Sequence, residues 1–431
     1  MEEDKLLDFQ LKKRTNSIIK VIGVGGGGGN AVNHMYLEGI HDVSFALCNT
    51  DNQALLKSPI PVKVQLGANT TGGLGAGNKP EVAYQAAEES IDQIQSLLDD
   101  GTRMVFITAG MGGGTGTGAA PLVAKVAKDM GILTVGIVTI PFMFEGPRKI
   151  IQALKGVEKI AENVDALLVI NNERLRDIYQ DLTVFNAFAK ADDTLATAAR
   201  SIAEIITIHG HVNLDFADVN TTLKDGGVAI MSRGMGRGLN RVNDAIKDAL
   251  NSPLLNNNDV FNAKKILINI SCGEENQLRM EEMNEFNDFM SKFSREIEVI
   301  WGVAREDSLG EDVKVTLLAT GFGIEDVPGI REHWDYESSM SEMERKVREE
   351  EQRKEDEKNR KLIESYYGKA GVKTLAASNF KKEPFILTVE EMDDDKILEA
   401  LDNVPAYKRE VDFNPRTYVS DNKSLPTSLF D

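Results

Sequence analysis

Cysteine, tryptophan and histidine are scarce in this chain, whose 431 residues carry two Cys, two Trp and five His, with aromatics at only 6%. So few cysteines exclude a disulfide framework. Cys48 and Cys272 both lie in apolar, strand-like segments and read as buried thiols, as expected in a reducing cytoplasm. Basic residues are also in deficit: 49 Lys and Arg face 68 Asp and Glu, a formal net charge of −19. That balance argues against nucleic acid as a partner, because no surface is left to neutralise its phosphates. Any bound phosphate must then be held mainly by backbone dipoles. Long hydrophobic runs are missing too. The longest, residues 132–140, is far too short to cross a bilayer, so no direct membrane insertion is expected. The opening Met1-Glu2-Glu3-Asp4 lacks the basic start and apolar core of a signal peptide.

Glycine, by contrast, is abundant at 37 residues, and much of it stands at three junctions. A chain of this length holds two or three domains with full cores. Residues 104–109 read as a buried parallel strand and lead into Gly110-Met111-Gly112-Gly113-Gly114-Thr115-Gly116-Thr117-Gly118, after which residues 119–127 read as a helix. Missing Cβ atoms let a ligand reach the backbone, and successive N–H groups can converge on an anion at the helix's positive end. A glycine run wedged between strand and helix is a poor flexible linker. The same order recurs where the β-branched residues 17–24 meet Gly25-Gly26-Gly27-Gly28-Gly29-Asn30, with a helix expected from Ala31. A third loop, Gly72-Gly73-Leu74-Gly75-Ala76-Gly77, follows a strand at 61–66, and Pro80 is expected to start a helix running to Leu98.

Further strands are expected at 43–48, 132–140 and 164–171, and helices alternate with them. This spacing predicts an α/β fold, a parallel sheet with helices on both faces. All three glycine loops follow strand C-termini, so they share the sheet edge at which open α/β sheets bind ligands. Asp51, ending the second strand, has two readings, helix cap or ligand. Residues 184–208 read as one long helix, apolar over much of its circumference and therefore central. Past it, strands at 226–231, 265–272, 296–303 and 313–320, with helices near 237–250 and 277–293, predict a second, smaller α/β domain on the far side of that helix. From about Glu332 the core signal stops, and residues 342–361 are dense in mixed charge.

Gly23-x-Gly25-x-x-Gly28 matches a dinucleotide fingerprint, but so glycine-rich a stretch satisfies many patterns. A dehydrogenase uses one such loop, whereas three share an edge here. Gly77-Asn78-Lys79-Pro80 breaks the Gly-Lys-Ser/Thr of a Walker loop, and kinase signatures are absent. Three loops converging on one patch suit a triphosphate better than a pyrophosphate.

Val21-Ile22-Gly23-Val24, Gly73-Leu74-Gly75-Ala76-Gly77, Phe144-Glu145-Gly146 and Asn213-Leu214-Asp215-Phe216-Ala217-Asp218 join the Gly-Gly-Gly-Thr-Gly-Thr-Gly run in carrying a resemblance. Over residues 17–322 the chain resembles the FtsZ family, bacterial tubulin-like cell-division GTPases. The resemblance implies a Rossmann-like GTP-binding domain, GTP/GDP as ligand, Mg2+ as counter-ion without a nameable protein ligand, and head-to-tail self-association into protofilaments. Carried over by position, Gly26, Gly27, Gly28, Gly29 and Asn30 bind the nucleotide, and Gly75, Ala76 and Gly77 cover the γ-phosphate. Gly113, Gly114, Thr115, Gly116 and Thr117 cradle the phosphates, and Glu145 contacts the ribose. Asn172 and Asp192 match the guanine readers, with Phe188 stacking on the base. A carboxylate at Asp192 can accept from guanine's N1–H and N2 amine and would meet a lone pair on adenine. By position alone Asp192 reads as a helix-surface charge and Phe188 as core. Lys149 stands where the family usually has arginine, and either Lys149 or Arg148 makes that contact.

The 213–218 segment has a local reading, in which Asn213 or Asp215 caps the following turn. The resemblance implies that it enters the next subunit's nucleotide pocket. Asp215 and Asp218 there polarise the attacking water with Asn213 beside them, which makes hydrolysis depend on self-assembly. Leu401-Asp402-Asn403-Val404-Pro405-Ala406-Tyr407-Lys408-Arg409 resembles the family's C-terminal peptide, which docks onto membrane tethers such as FtsA and other division regulators. The implied organisation is a flexible N-terminal segment (1–14), a GTP-binding domain (15–183), a central helix (184–209) and a C-terminal activation and polymerisation domain (210–330). A charged linker (331–395) and a disordered or partly helical partner-binding tail (396–431) follow. The implied location is the cytoplasm, at the midcell division site on the inner face of the membrane. Two other functions fit the same sheet edge: a monomeric NAD-binding oxidoreductase and a plasmid-partition tubulin-like filament.

Overall fold

The computed structural model describes residues 17–330 apart from 41, 180, 209, 253–259, 295, 328 and 329. The linker and tail readings, and the 401–409 motif with them, lie outside the described residues. In chain order the first half runs β1 (Ile19–Val24), α1 (Gly25–Leu37), β2 (Val43–Asn49), α2 (Asn52–Lys57), β3 (Val62–Gln65), α3 (Ala68–Thr71), α4 (Pro80–Glu89) and α5 (Ile91–Leu98). Then come β4 (Met104–Gly110), α6 (Thr115–Asp129), β5 (Leu133–Ile140), α7 (Pro147–Ala161), β6 (Ala166–Asn171), α8 (Asn172–Ile178) and α9 (Val184–Thr207). The second half adds β7 (Gly210–Val212), α10 (Phe216–Leu223), β8 (Gly227–Gly236), α11 (Arg241–Leu250), β9 (Lys265–Cys272), α12 (Glu282–Met290), β10 (Glu298–Arg305) and β11 (Val313–Phe322).

The strands form one sheet in the order β3-β2-β1-β4-β5-β6-β8-β11-β9-β10-β7. The first six are parallel, as the strand–helix alternation requires. Beyond them the pairing is mixed: β11 is antiparallel to both β8 and β9, while β10 is parallel to β9. The predicted second α/β region thus continues the same sheet, joined where Ala166, Leu167 and Leu168 of β6 pair with Gly227, Val228 and Ala229 of β8. Buried Asp165 strengthens that seam. Its Oδ2 accepts from Thr134 N (2.9 Å), its Oδ1 pairs with Lys224 Nζ (2.8 Å), and its carbonyl accepts from Gly226 N (2.8 Å).

Strand alternation sends Met104 and Phe106 into one core and Val105 and Ile107 into the other. One core is covered by helices including α4, α6, α7 and α11, with Val123, Val157 and Ile246 among its members. The other lies under α1 and α9, where Val32, Leu195 and Ile202 meet Val21 and Phe106. Ala191, Ala198, Ala199 and Ala203 let α9 lie close on the sheet, which makes it the central helix its sequence predicts. Lys314 of β11, 2% exposed on its side chain, reaches Glu204 near the end of α9 (3.1 Å) and pairs also with Glu306. Both cysteines are free and buried, and burial pushes the Cys48 thiol up to about 12.

Several boundaries differ from expectation; α6, for example, begins at Thr115 inside the glycine run rather than at Ala119, and β8 runs on to Gly236. The helix after the first glycine junction begins at Gly25 rather than Ala31, so these glycines form its first turns. The single helix expected from Pro80 to Leu98 breaks at Ser90, whose hydroxyl accepts from Gly67 N (2.9 Å). β7 was hidden in a short His-Gly-His stretch and exists because Gly210, where a Cβ would lie 2.3 Å from Val303 O, can approach β10.

Candidate functional site

The three glycine loops touch. Gly25 turns out of β1 at φ +73°, and a Cβ there would lie 2.7 Å from Gly116 N. A Cβ on Gly114 would lie 3.0 Å from Lys79 N and 3.2 Å from Ala76 Cβ, which brings the third loop against the run. Gly26, Gly27 and Asn30 are exposed at this mouth, and Gly29 is half-buried. Gly28 is different: it is buried with its Cβ position 2.2 Å from Thr108 O, so its role is to seat α1 on β4. Asp51 resolves as a helix cap, its Oδ1 accepting from Gln53 N (2.8 Å) and Ala54 N (3.2 Å). Beside it, Thr50 Oγ1 lies 2.7 Å from Thr115 Oγ1. Thr50 was missed in the sequence, although a hydroxyl at the end of a parallel strand on this edge is a signal in itself.

Within the run the N–H groups divide into two kinds. Met111 N donates to Thr139 O (3.0 Å) and Gly112 N to Thr117 Oγ1 (2.9 Å). The N–H groups of Gly113 and Gly114 donate to nothing among the described residues. Those of Ala76 and Gly77 are likewise free, while Gly75 N donates to Thr50 O (3.3 Å). Thr115 is half-buried at the mouth; Gly116 and Thr117 are buried behind it, and the Thr117 hydroxyl is engaged by Gly112. Free N–H groups meeting at a helix N-terminus form an anion cradle that needs no basic side chain. That is what an excess of acidic residues demands.

A second group of residues gathers beyond α7. Glu145 accepts from Phe142 N (3.0 Å) and pairs with Lys149 Nζ (3.2 Å). Arg148 instead lines a groove of about 690 Å³ between α4, α6 and α7. Lys149 is therefore the cation beside Glu145. Asn171 caps α8 by accepting from Glu173 N (3.0 Å), and the next residue, Asn172, is 5% exposed with its Oδ1 unpartnered among the described residues. A buried amide oxygen without a donor costs about 1–3 kcal/mol unless a ligand supplies one. Phe188, read locally as core, is 40% exposed and sits edge-on to Phe142 (5.2 Å), which stacks on Phe144 (5.1 Å). One helical turn on, Asp192 is half-buried, and burial pushes its carboxyl up from 3.8 to about 6, with His34 opposing.

The 213–218 segment lies at the other end of the sheet. Asp215 caps α10, its Oδ1 accepting from Ala217 N (2.7 Å) and Asp218 N (3.2 Å), while Asp218 Oδ2 accepts from Asp215 N (2.9 Å). Asn213 Oδ1 accepts from Gly210 N (3.1 Å), so of the two candidates Asp215 is the cap. The guanidinium of Arg103 lies 4.8 Å over the Phe216 ring. Arg103 immediately precedes β4, and the glycine run starts where β4 ends. The seven residues of that strand separate the two by about 23 Å.

Residues 18–180 match the family model "Tubulin/FtsZ family, GTPase domain", and residues 227–323 match "FtsZ family, C-terminal domain". The chain is 52% identical over 413 residues to the cell division protein FtsZ of Porphyromonas gingivalis, covering 94% of this chain and 89% of that one. It is 47% identical to the cell division protein FtsZ of Aquifex aeolicus, covering 70% and 83%. Among solved structures, an empty FtsZ dimer of M. jannaschii superposes with a TM-score of 0.65 at 38% identity, covering 72% of this chain and 89% of that one. A GTPγS-bound protofilament of CetZ2 from Haloferax volcanii shares the fold at a TM-score of 0.62 and 20% identity, covering 74% and 99%.

Proposed function

The chain belongs to the FtsZ family of tubulin-like cell-division GTPases, and on that premise we propose that it hydrolyses GTP at a site which a neighbouring copy of the chain completes. One observation carries the proposal: the phosphate cradle and the 213–218 carboxylates stand at opposite ends of β4, about 23 Å apart, and cannot meet within one molecule. Head-to-tail stacking of copies brings them together and generates a filament. The mouth suits such a contact, because Leu74 in the third glycine loop is 89% exposed.

In this reading Gly26, Gly27, Asn30, Ala76, Gly77, Gly113, Gly114 and Thr115 hold the phosphates, and Glu145 with Lys149 takes the ribose. Asn172 and Asp192 read guanine against the Phe188 ring. Magnesium fits as a phosphate-borne ion, since the cradle offers N–H groups and hydroxyls rather than a cluster of carboxylates; it would neutralise phosphate charge. Asp215 uses one carboxylate oxygen on two N–H groups and Asp218 one oxygen on a third. The other oxygen of each is left to orient water, held in direction by the cap. Phosphoryl transfer depends mostly on such positioning. The 401–409 motif supports docking onto membrane tethers such as FtsA, which would place the filament in the cytoplasm on the inner membrane face at midcell. Among the described residues no helix is long and apolar enough to cross a membrane.

GTP turnover per molecule, measured by phosphate release across a dilution series, is expected to rise from near zero as copies assemble. A constant specific activity from dilute to concentrated protein would overturn the shared site.

A further inference from the structure

We propose that Gln152 is a positioning residue of the phosphate cradle, fixing the direction of two of its free N–H groups, those of Gly113 and Gly114, from the α7 side. Gln152 sits on α7 and lines the groove between α4, α6 and α7. Its Nε2 donates to Gly112 O (3.1 Å) and Gly113 O (3.0 Å). Both partners are carbonyls, which only accept, so the nitrogen end of the amide must face them.

Peptide geometry supplies the next step. Gly112 C=O shares a peptide plane with Gly113 N–H, and Gly113 C=O shares one with Gly114 N–H. In a trans peptide the C=O and N–H bonds point in opposite directions, and the described chain has no cis bond. Holding both carbonyls toward α7 therefore turns both N–H groups away from it. Neither N–H group has an acceptor among the described residues. Glycines alone leave such planes free to rotate; one forked donor removes that freedom.

The surroundings fix the donor in turn. A Cβ on Gly112 (φ +95°) would lie 2.8 Å from Lys149 O, one on Gly156 would lie 2.6 Å from Thr117 Cγ2, and Ala153 is fully buried. Helix α7 is thus seated on the run on both sides of Gln152. The same helix carries Lys149, whose ion pair with Glu145 lies at its start. One rigid element links the ribose end of the site to the direction of the phosphate donors.

This role rests on the GTP reading above, and nucleotide binding at concentrations below assembly separates the two. Titrations with GTP, ATP and guanosine compare wild type, Gln152→Leu and Gln152→Lys, the last of which restores a donor to the carbonyls. Gln152→Leu is expected to weaken GTP binding on the order of tenfold and to leave guanosine binding unchanged. Gln152→Lys is expected to recover most of the GTP affinity. Equal weakening of GTP and guanosine, unchanged GTP binding in Gln152→Leu, or no recovery in Gln152→Lys would each overturn the positioning role while leaving the GTP reading intact. Wild type that fails to prefer GTP over ATP would overturn both. The position is half-buried and on the helix surface, and a thermal melt of each variant confirms that the compared proteins are folded.

Discussion

The two ends of the parallel strands treat their polar groups in opposite ways. At the carboxyl end the chain leaves them unsatisfied: the N–H groups of Gly113 and Gly114, and the buried Oδ1 of Asn172. At the amino end the polar side chains are engaged locally, Asp215 and Asp218 in a reciprocal cap and Asn213 on Gly210 N. Unpaired buried groups are costly and persist where a ligand completes them. Groups held by a cap are rigid and need nothing further to keep their shape. One end is therefore built to receive, and the other to be presented.

The sharpest way to break this comparison is Asp218→Ala. Phosphate release should fall on the order of a hundredfold or more, while GTP affinity, measured by titration, should stay unchanged. A parallel fall in affinity would mean the amino end shapes its own molecule's pocket. Asp192→Asn sharpens the other side. Losing a charge-assisted acceptor for guanine should weaken GTP binding by about tenfold to a hundredfold. In wild type that affinity should also decline as pH falls through about 6, where Asp192 takes up a proton, and the variant should lack this step. The sign for stability is the reverse. Burial raises the folded value above the ordinary 3.8, so the Asp192 contribution is complete below that pH and is lost as pH rises through about 6. The unliganded variant should accordingly melt higher than wild type at pH 7. The smallest effect belongs to Asp51→Ala, which should cost about 1 kcal/mol through loss of the α2 cap, seen in thermal melts, with GTP turnover preserved.

Much of this contrast was already visible in the order of residues. Apolar runs located the six parallel strands, and the glycine loops after three of them marked the shared edge, because strand patterning and glycine punctuation are local properties. Where the local signal was ambiguous, context decided. Asp51 and Asp215 were each open to a cap or another role, and neighbouring N–H groups made both of them caps. Phe188 looked like core on an apolar helix, yet it stands 40% exposed against Phe142, a neighbour 46 positions earlier in the chain. Glycines that look alike in the loops also separated by what lies behind them: Gly28 and Gly116 are packed against backbone, and Gly113 and Gly114 carry open N–H groups. Gln152 had no signal at all, since an isolated glutamine on an amphipathic helix is ordinary until the carbonyls it holds are known.

The sequence by itself determined the sheet edge, the glycine junctions and the deficit of basic charge that assigns phosphate binding to the backbone. Those follow from composition and short-range periodicity. Only the tertiary structure decided which N–H groups remain free, which carboxylates are committed to caps, and that the cradle and the 213–218 segment lie a strand's length apart. Each of these depends on contacts between segments remote in the chain, and the last is the observation on which the proposed shared site rests.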